Sequence, residues 1–264
     1  MKPIPFGLDA EGRQVHADLH RAHTILAGAT RSGKSSTSYV LLAGVARDRS
    51  AVVVGCDPSA LLLAPFEDVG QEGLVTGTAD LPAVVAVLDR VVRLMDGRIA
   101  NLRRLGVDQL VPSPSLPTVL VVLEEYAGLL AACDAYDAAQ KPGERLKPRV
   151  LSSVGRLLRE GAKAQVLAFT VLQRPDAAVL GGAERAQYAR RITHRLDNAD
   201  GVRMLNETAD GVTVERLMSA APGVGLLNEA GQPHTFFRSA LMGYAAYADQ
   251  VRTHYRPTTI DPQE

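Results

Sequence analysis

Short apolar runs recur along this chain, with amphipathic stretches of helical period lying between them. Ile25-Leu26-Ala27, residues 51–56 (AVVVGC), 116–123 (LPTVLVVL) and 166–172 (VLAFTVL) are nearly continuous apolar segments, several rich in valine. Such runs predict strands covered on both faces, as in a parallel sheet. Residues 74–78 (LVTGT) and 192–196 (ITHRL) predict two more short strands. Residues 80–105 place Val84, Val85, Leu88, Val91, Val92 and Leu94 at helical spacing behind Asp80, a good N-cap, and their arginines read as a solvated face. Helices are also expected from the residues after Gly33 to about Arg47 and over 150–163, with shorter ones at 202–205 and 214–218. This alternation predicts an α/β fold, a mostly parallel central sheet flanked by helices.

The pattern changes at both ends. A turn at residues 9–12 before 15–19 makes residues 1–22 a small N-terminal hairpin lead-in, and residues 225–227 and 234–237 flank a turn as a C-terminal hairpin. Residues 135–149, with two prolines, a glycine and four Lys/Arg, predict a mobile basic loop. One domain is expected over residues 1–255, and a flexible tail over 256–264.

Composition narrows the function classes. With 264 residues, 46% of them hydrophobic, the chain can bury a large core, and its formal net charge of zero means that any polyanion site must be local. Cys56 and Cys133 lack metal-ligand spacing and read as reduced thiols. His16, His20 and His23 straddle a strand end without a carboxylate cluster, so they predict no metal site. No run of about 18 apolar residues and no signal-peptide core occurs, so a cytoplasmic protein is expected, recruited to a membrane only through a partner.

The chemistry concentrates in residues 23–36, HTILAGATRSGKSS. Gly28, four free positions (Ala29, Thr30, Arg31, Ser32), then Gly33-Lys34-Ser35 and Ser36, lie between an apolar strand and a helix. That is a phosphate-binding loop in its required context, and chance supplies only about 0.004 such matches in a chain of this composition. Glycines let successive N–H groups face a polyphosphate, Lys34 would reach the β- and γ-phosphates of ATP, and the Ser35 hydroxyl would sit on Mg²⁺. The strand at 116–123 delivers Glu124 and Glu125 at its carboxyl end. The first suits the Mg²⁺ shell, and the second suits orienting or deprotonating the attacking water. Gln173, at the tip of another core strand, is placed to sense the γ-phosphate.

These segments, in this order, resemble the FtsK/SpoIIIE-type DNA-translocase motors, including related transfer proteins of actinobacterial conjugative elements. The likeness runs from about Gly7 to Met242. The lead-in through the phosphate loop resembles that family's glycine/acidic turn, "ADL" segment and His-preceded loop. Cys56-Asp57-Pro58-Ser59 resembles its "IDPK" turn, Leu105-Gly106-Val107 its "LGV", and residues 116–125 its Walker B strand. Leu172-Gln173-Arg174-Pro175 resembles its "TQRP", and Pro222-Gly223-Val224-Gly225 the motif before its last hairpin. Glu124 stands where the family has Asp, Lys163 where it has Arg, and Ser59 where it has Lys. The resemblance implies a RecA-like P-loop NTPase with Lys34, Glu125 and Gln173 catalytic, residues 28–36 on ATP, and Ser35 with Glu124 on Mg²⁺. It further implies a homo-hexameric ring that moves double-stranded DNA through sequence-independent backbone contacts, with separate membrane or DNA-reader partners. Residues 141–149 or the arginine-rich 185–195 are the candidate grips, with a subunit contact as the alternative role of either. A weakly hydrolysing assembly subunit, a secretion motor and a genome-packaging motor would share these motifs.

Overall fold

In a computed structural model of the chain, residues 3–260 are described. Ten strands form one sheet: β1 (Ile4–Leu8), β2 (Gln14–Ala17), β3 (Thr24–Ala27), β4 (Ala51–Asp57), β5 (Leu74–Thr76), β6 (Thr118–Leu123), β7 (Val166–Leu172), β8 (Arg190–His194), β9 (Val224–Glu229) and β10 (Thr235–Ser239). Among the described residues nine α-helices accompany them: α1 (Lys34–Ala46), α2 (Ala64–Asp68), α3 (Leu81–Leu105), α4 (Tyr126–Asp137), α5 (Lys147–Glu160), α6 (Gly182–Arg185), α7 (Ala199–Leu205), α8 (Gly211–Met218) and α9 (Tyr244–His254). The strand order is β2-β1-β10-β9-β8-β3-β7-β6-β4-β5. From β8 to β5 every neighbour is parallel, and from β8 out to β2 every neighbour is antiparallel. The two hairpins expected at the chain's ends are therefore not appendages. They lie side by side, β1 against β10, and extend the sheet.

The parallel strands are apolar throughout because both faces are covered. Alternate residues of β4 and β6 divide between two cores: Val52, Val54, Val119 and Val121 face α3, α4 and α5, while Val53, Leu120 and Val122 face the side of α1, α2 and α9. A third, smaller cluster packs α7 and α8 under Leu226 of β9. Asp80 caps α3, its carboxylate accepting from Ala83 N–H at 3.0 Å.

Four expectations need correction. The basic segment is no open loop at either end, since residues 135–137 finish α4 and 147–149 begin α5. Asp137 accepts from Leu146 N–H (2.7 Å) and Lys147 N–H (2.9 Å), which fastens the intervening stretch at its neck. Arg98 of α3 is not on a solvated face. Its guanidinium donates to the carbonyls of Ala164, Gln165 and Pro117, tying the lower end of β7 to that of β6. The expected frayed tail packs as far as residue 260: Thr258 exchanges bonds with Gln71, and Ile260 is buried in the α3-side core. Residues 261–264 lie outside the described residues. Finally, α9 occupies a stretch for which no element was expected, and Tyr247 and Val251 bury its inner face.

Candidate functional site

The phosphate loop leaves the sheet at the carboxyl end of β3, the strand between β7 and β8. Gly28 N–H donates to Leu172 O (3.2 Å) and Ala29 N–H to Arg195 O (2.9 Å), so the loop is fastened to both neighbouring strands. A Cβ at Gly28 would stand 2.5 Å from Ser32 Oγ and 2.8 Å from His194 Cβ. Gly33 adopts φ 108°, and a Cβ there would stand 2.6 Å from the backbone N of Gly223. Gly223 N–H in turn donates to Ser32 O at 2.8 Å, so the turn before β9 braces the loop. The first helical bond runs from Thr37 N–H to Gly33 O (3.1 Å), which leaves the preceding amides as the unsatisfied positive start of α1.

His194 lies beneath the loop, fully buried. Its Nδ1 is 3.1 Å from Val224 O, which can only accept, so Nδ1 carries the proton and Nε2 accepts from Thr37 Oγ1 at 2.8 Å. Burial, aided by the Lys34 charge, pushes its pKa down to about 4. This neutral histidine links helix α1 to the strand that braces the loop. The sequence offered no signal for it, because a lone histidine in an apolar strand reads as ordinary core.

The loop opens onto a cavity of about 480 Å³ whose walls include Arg31, Lys34, Ser35, Tyr39, Glu124 and Gln173. Ala29, Thr30, Gly33 and Ser36 of the expected loop also line it, whereas Gly28 and Glu125 are not on its wall. Ser32 does not reach the wall. Its Oγ is buried beside Gly28 without a hydrogen-bond partner. The Ser36 hydroxyl is engaged, donating to Ala240 O (3.0 Å) and accepting from Met242 N–H (2.7 Å), which moors the segment leading into α9. Tyr39 stacks on Tyr247 at 4.7 Å between ring centroids.

Two acidic side chains stand beside Lys34 and the cleft, Glu124 on its wall and Glu125 next to the lysine. Glu125 sits at φ 42°, ψ 52°, a left-handed conformation that costs a residue with a Cβ, and its carboxylate lies 3.7 Å from Lys34 Nζ. Glu124 is held through its backbone, whose N–H donates to Cys56 O (2.9 Å), while Oε2 is buried with no hydrogen-bond partner. Burial first and the neighbouring Asp57 second push the Glu124 carboxyl up to about 7, against the pull of Lys34. Asp57 itself is committed to its turn, accepting from Ser59 N–H (3.0 Å), Ser59 Oγ (2.6 Å) and Leu63 N–H (2.9 Å). Ser59 therefore shapes the turn as well as lining the cavity. An orphaned carboxylate oxygen of a residue that shares the cavity wall with Ser35 fits Mg²⁺, an ion that takes hard oxygen donors and is commonly held by one or two carboxylates, water and substrate phosphates. Among the described residues no three His, Cys, Asp or Glu side chains converge into an all-protein metal cage.

The other candidates separate from this cleft. Lys163 lies before β7, at the opposite end of the strand from Gln173, and is exposed. The arginine-rich stretch is mostly structural: Arg185 donates to Leu180 O, and Arg191 to the carbonyls of Tyr188, Leu205 and Arg185. Arg190 is buried in an ion pair with Glu229 at 2.5 Å. In the other basic segment, Lys147 pairs with Asp134 and Arg149 with Asp89, whereas Lys141 and Arg145 are exposed.

A glycine-built loop whose amides, lysine and serine open onto a cleft with strand-end carboxylates suits a nucleoside triphosphate, and it puts this domain among the P-loop ATPases. Comparison with known sequences makes the assignment specific. The FtsK/SpoIIIE family profile matches residues 2–166, and the chain belongs to that family. It is 26% identical to the ESX secretion system protein EccC of Thermomonospora curvata, over 90% of this chain and 18% of that protein. It is 27% identical to the DNA translocase FtsK of Streptomyces avermitilis, over 87% of this chain and 26% of that protein. The chain thus spans about a quarter or less of the curated relatives it matches. Among solved structures, the pCW3 conjugation coupling protein TcpA, a monomer form with ATPγS, superposes with a TM-score of 0.77. That match covers 96% of this chain and 70% of TcpA at 16% identity, a likeness of fold. No helix among the described residues is long and apolar enough to cross a membrane.

Proposed function

We propose that this ATPase domain hydrolyses ATP to drive double-stranded DNA through a homo-hexameric ring. What carries the reading is the meeting of Lys34, Ser35, Glu124, Glu125 and Gln173 around one cleft at the carboxyl edge of the sheet. In this mechanism the loop amides of residues 28–36 hold the phosphates. Lys34, whose Nζ lies 3.7 Å from the Glu125 carboxylate, turns to the β- and γ-phosphates and releases the carboxylate. Glu125 then orients or deprotonates the attacking water, and Gln173 reads whether the γ-phosphate is present. Ser35 and Glu124 would hold Mg²⁺, which neutralises charge on the phosphate oxygens.

The DNA part draws on the similarity to FtsK and on charge. Lys141 and Arg145 are exposed on the segment from which α5 descends to the start of β7, which puts them at the same end of the sheet as the cleft. Lys147 and Arg149 are already paired with acids, so the grip proposed here is narrower than the whole basic segment. ATPase rate with and without duplex DNA tests the reading. The rate should rise with duplex of any sequence, the rise should collapse with added salt, and Lys141→Ala with Arg145→Ala should blunt it without changing the basal rate. The similarity to EccC, a secretion protein, supports a second reading in which a polypeptide is moved. A basal rate untouched by duplex at low salt sinks the DNA reading and leaves that one standing.

A further inference from the structure

Arg31, within the phosphate loop, has a backbone conformation at odds with its side chain. Its φ is 60°, in the left-handed region where glycine alone escapes crowding of Cβ. The residue is exposed and lines the 480 Å³ cavity, and the one other cationic residue in that wall, among the described residues, is Lys34. The charge on Lys34 already meets a carboxylate at 3.7 Å, and Glu124 lines the same wall. A triphosphate brings further negative charge into a cleft whose one inner cationic side chain is shared with two glutamates, so that even with Mg²⁺ bound the phosphates leave negative charge for a further cationic side chain to meet. No hydrogen bond or ion pair ties the Arg31 guanidinium to the rest of the described protein, which leaves its donors available to a ligand.

We infer that Arg31 is a phosphate-contacting residue whose guanidinium closes over the terminal phosphate of the bound nucleotide from the solvent side of the loop. This rests on the ATP-binding reading of the loop and goes beyond it, because the loop's shared role uses backbone amides, whereas this one uses a side chain. The planar fork of arginine can engage two oxygens of one phosphate with parallel hydrogen bonds, a fixed geometry that the ammonium of Lys34 does not impose. The contact reaches the last phosphate, so it discriminates triphosphate from diphosphate. An unfavourable backbone angle is kept where glycine would fit better, and the side chain is what is gained in exchange.

Arg31→Gly separates the two effects. Glycine suits φ 60°, so the variant should keep the melting temperature of the nucleotide-free protein or raise it by about 2 °C. A non-hydrolysable ATP analogue should bind it about tenfold or more weaker than wild type, and ADP no more than about threefold weaker, because the lost bonds are charge-assisted ones to the terminal phosphate. Arg31→Asn, whose side chain also tolerates the left-handed region, should repeat this split. Equal affinities for the analogue in wild type and both variants overturn the inference, and so does an equal loss for analogue and ADP. Lys34→Ala, measured alongside, tests the underlying reading: if it binds both nucleotides as wild type does, the ATP site is elsewhere and the inference falls with it.

Discussion

Acidifying the protein should unfold it through His194, and the size of the effect follows from where that ring sits. In the unfolded chain a histidine titrates near 6.5, whereas in the fold burial holds His194 down at about 4. The unfolded state therefore binds the proton first. The stability due to the neutral ring is complete above pH 6.5 and drains away as pH falls towards 4. Working the linkage with these two values gives a loss of about 2 kcal/mol between pH 7.5 and 5, and about 3 kcal/mol by pH 4. Other groups titrate in the same window, above all His23, which is buried and also held down at about 4. The measurement is therefore a difference: urea unfolding of wild type and of His194→Gln at pH 7.5, 6.5, 5.5 and 5. Glutamine can accept from Thr37 and donate to Val224 O, as the neutral ring does, but cannot take the proton. Stability of the variant should be lower than wild type at pH 7.5, and the gap should close by about 2 kcal/mol at pH 5. Two curves that stay parallel across this range would refute the assignment of His194 as a proton-excluding strut.

Glu125→Gln should retain ATP binding and trap an unhydrolysed complex, with turnover reduced by about two orders of magnitude or more; a rate near wild type in a phosphate-release assay removes Glu125 from the reaction. Gly33→Ala forces a Cβ to within 2.6 Å of the Gly223 backbone, so the loop and the turn before β9 must part. Loss of nucleotide binding with the fold retained by circular dichroism is expected, and unimpaired binding would show that the brace is dispensable. Arg98→Met leaves three carbonyls to find water or nothing, and should lower stability by about 2–3 kcal/mol without changing nucleotide affinity; unchanged urea midpoints would contradict the tie between β6 and β7.

The parallel half of the sheet and the phosphate loop were readable from the chain because both leave local signatures: apolar runs too short for helices, and a glycine spacing that few other functions require. Asp80 as a cap and the strand-end pair Glu124-Glu125 were readable for the same reason. Helix α4 was not. Its sequence, YAGLLAACDAYD, lacks a strong polar face, and the proline-rich basic stretch after it drew the reading towards a loop. Helix α9 hid for a related reason, since it is anchored less by an apolar stripe than by two tyrosine hydroxyls: that of Tyr247 donates to Leu62 O, and that of Tyr255 binds Gln71 and Val53. Arg98 was misread as part of a solvated face, and Arg190 and Arg191 as part of a candidate DNA grip, because pattern alone cannot tell an arginine reaching for buried carbonyls or a buried carboxylate from one reaching outward. Pro222-Gly223 was noticed as a motif, but its contact with Gly33 joins residues nearly two hundred positions apart, and no local pattern reports that.

The merging of the two hairpins into the sheet bears on where this domain can be cut. Phe6 is fully buried edge-on to Phe237, and Ile4 packs on α1 so closely that a Cβ at Gly44 would stand 2.5 Å from it. A shortened protein starting at His23 would keep every residue named around the phosphates, yet it would uncover β10 and strip the outer support from the helix that begins at Lys34. For expression or domain grafting, residues 3–20 belong to the frame of this ATPase domain, and a boundary chosen from the nucleotide-binding signature alone would discard them.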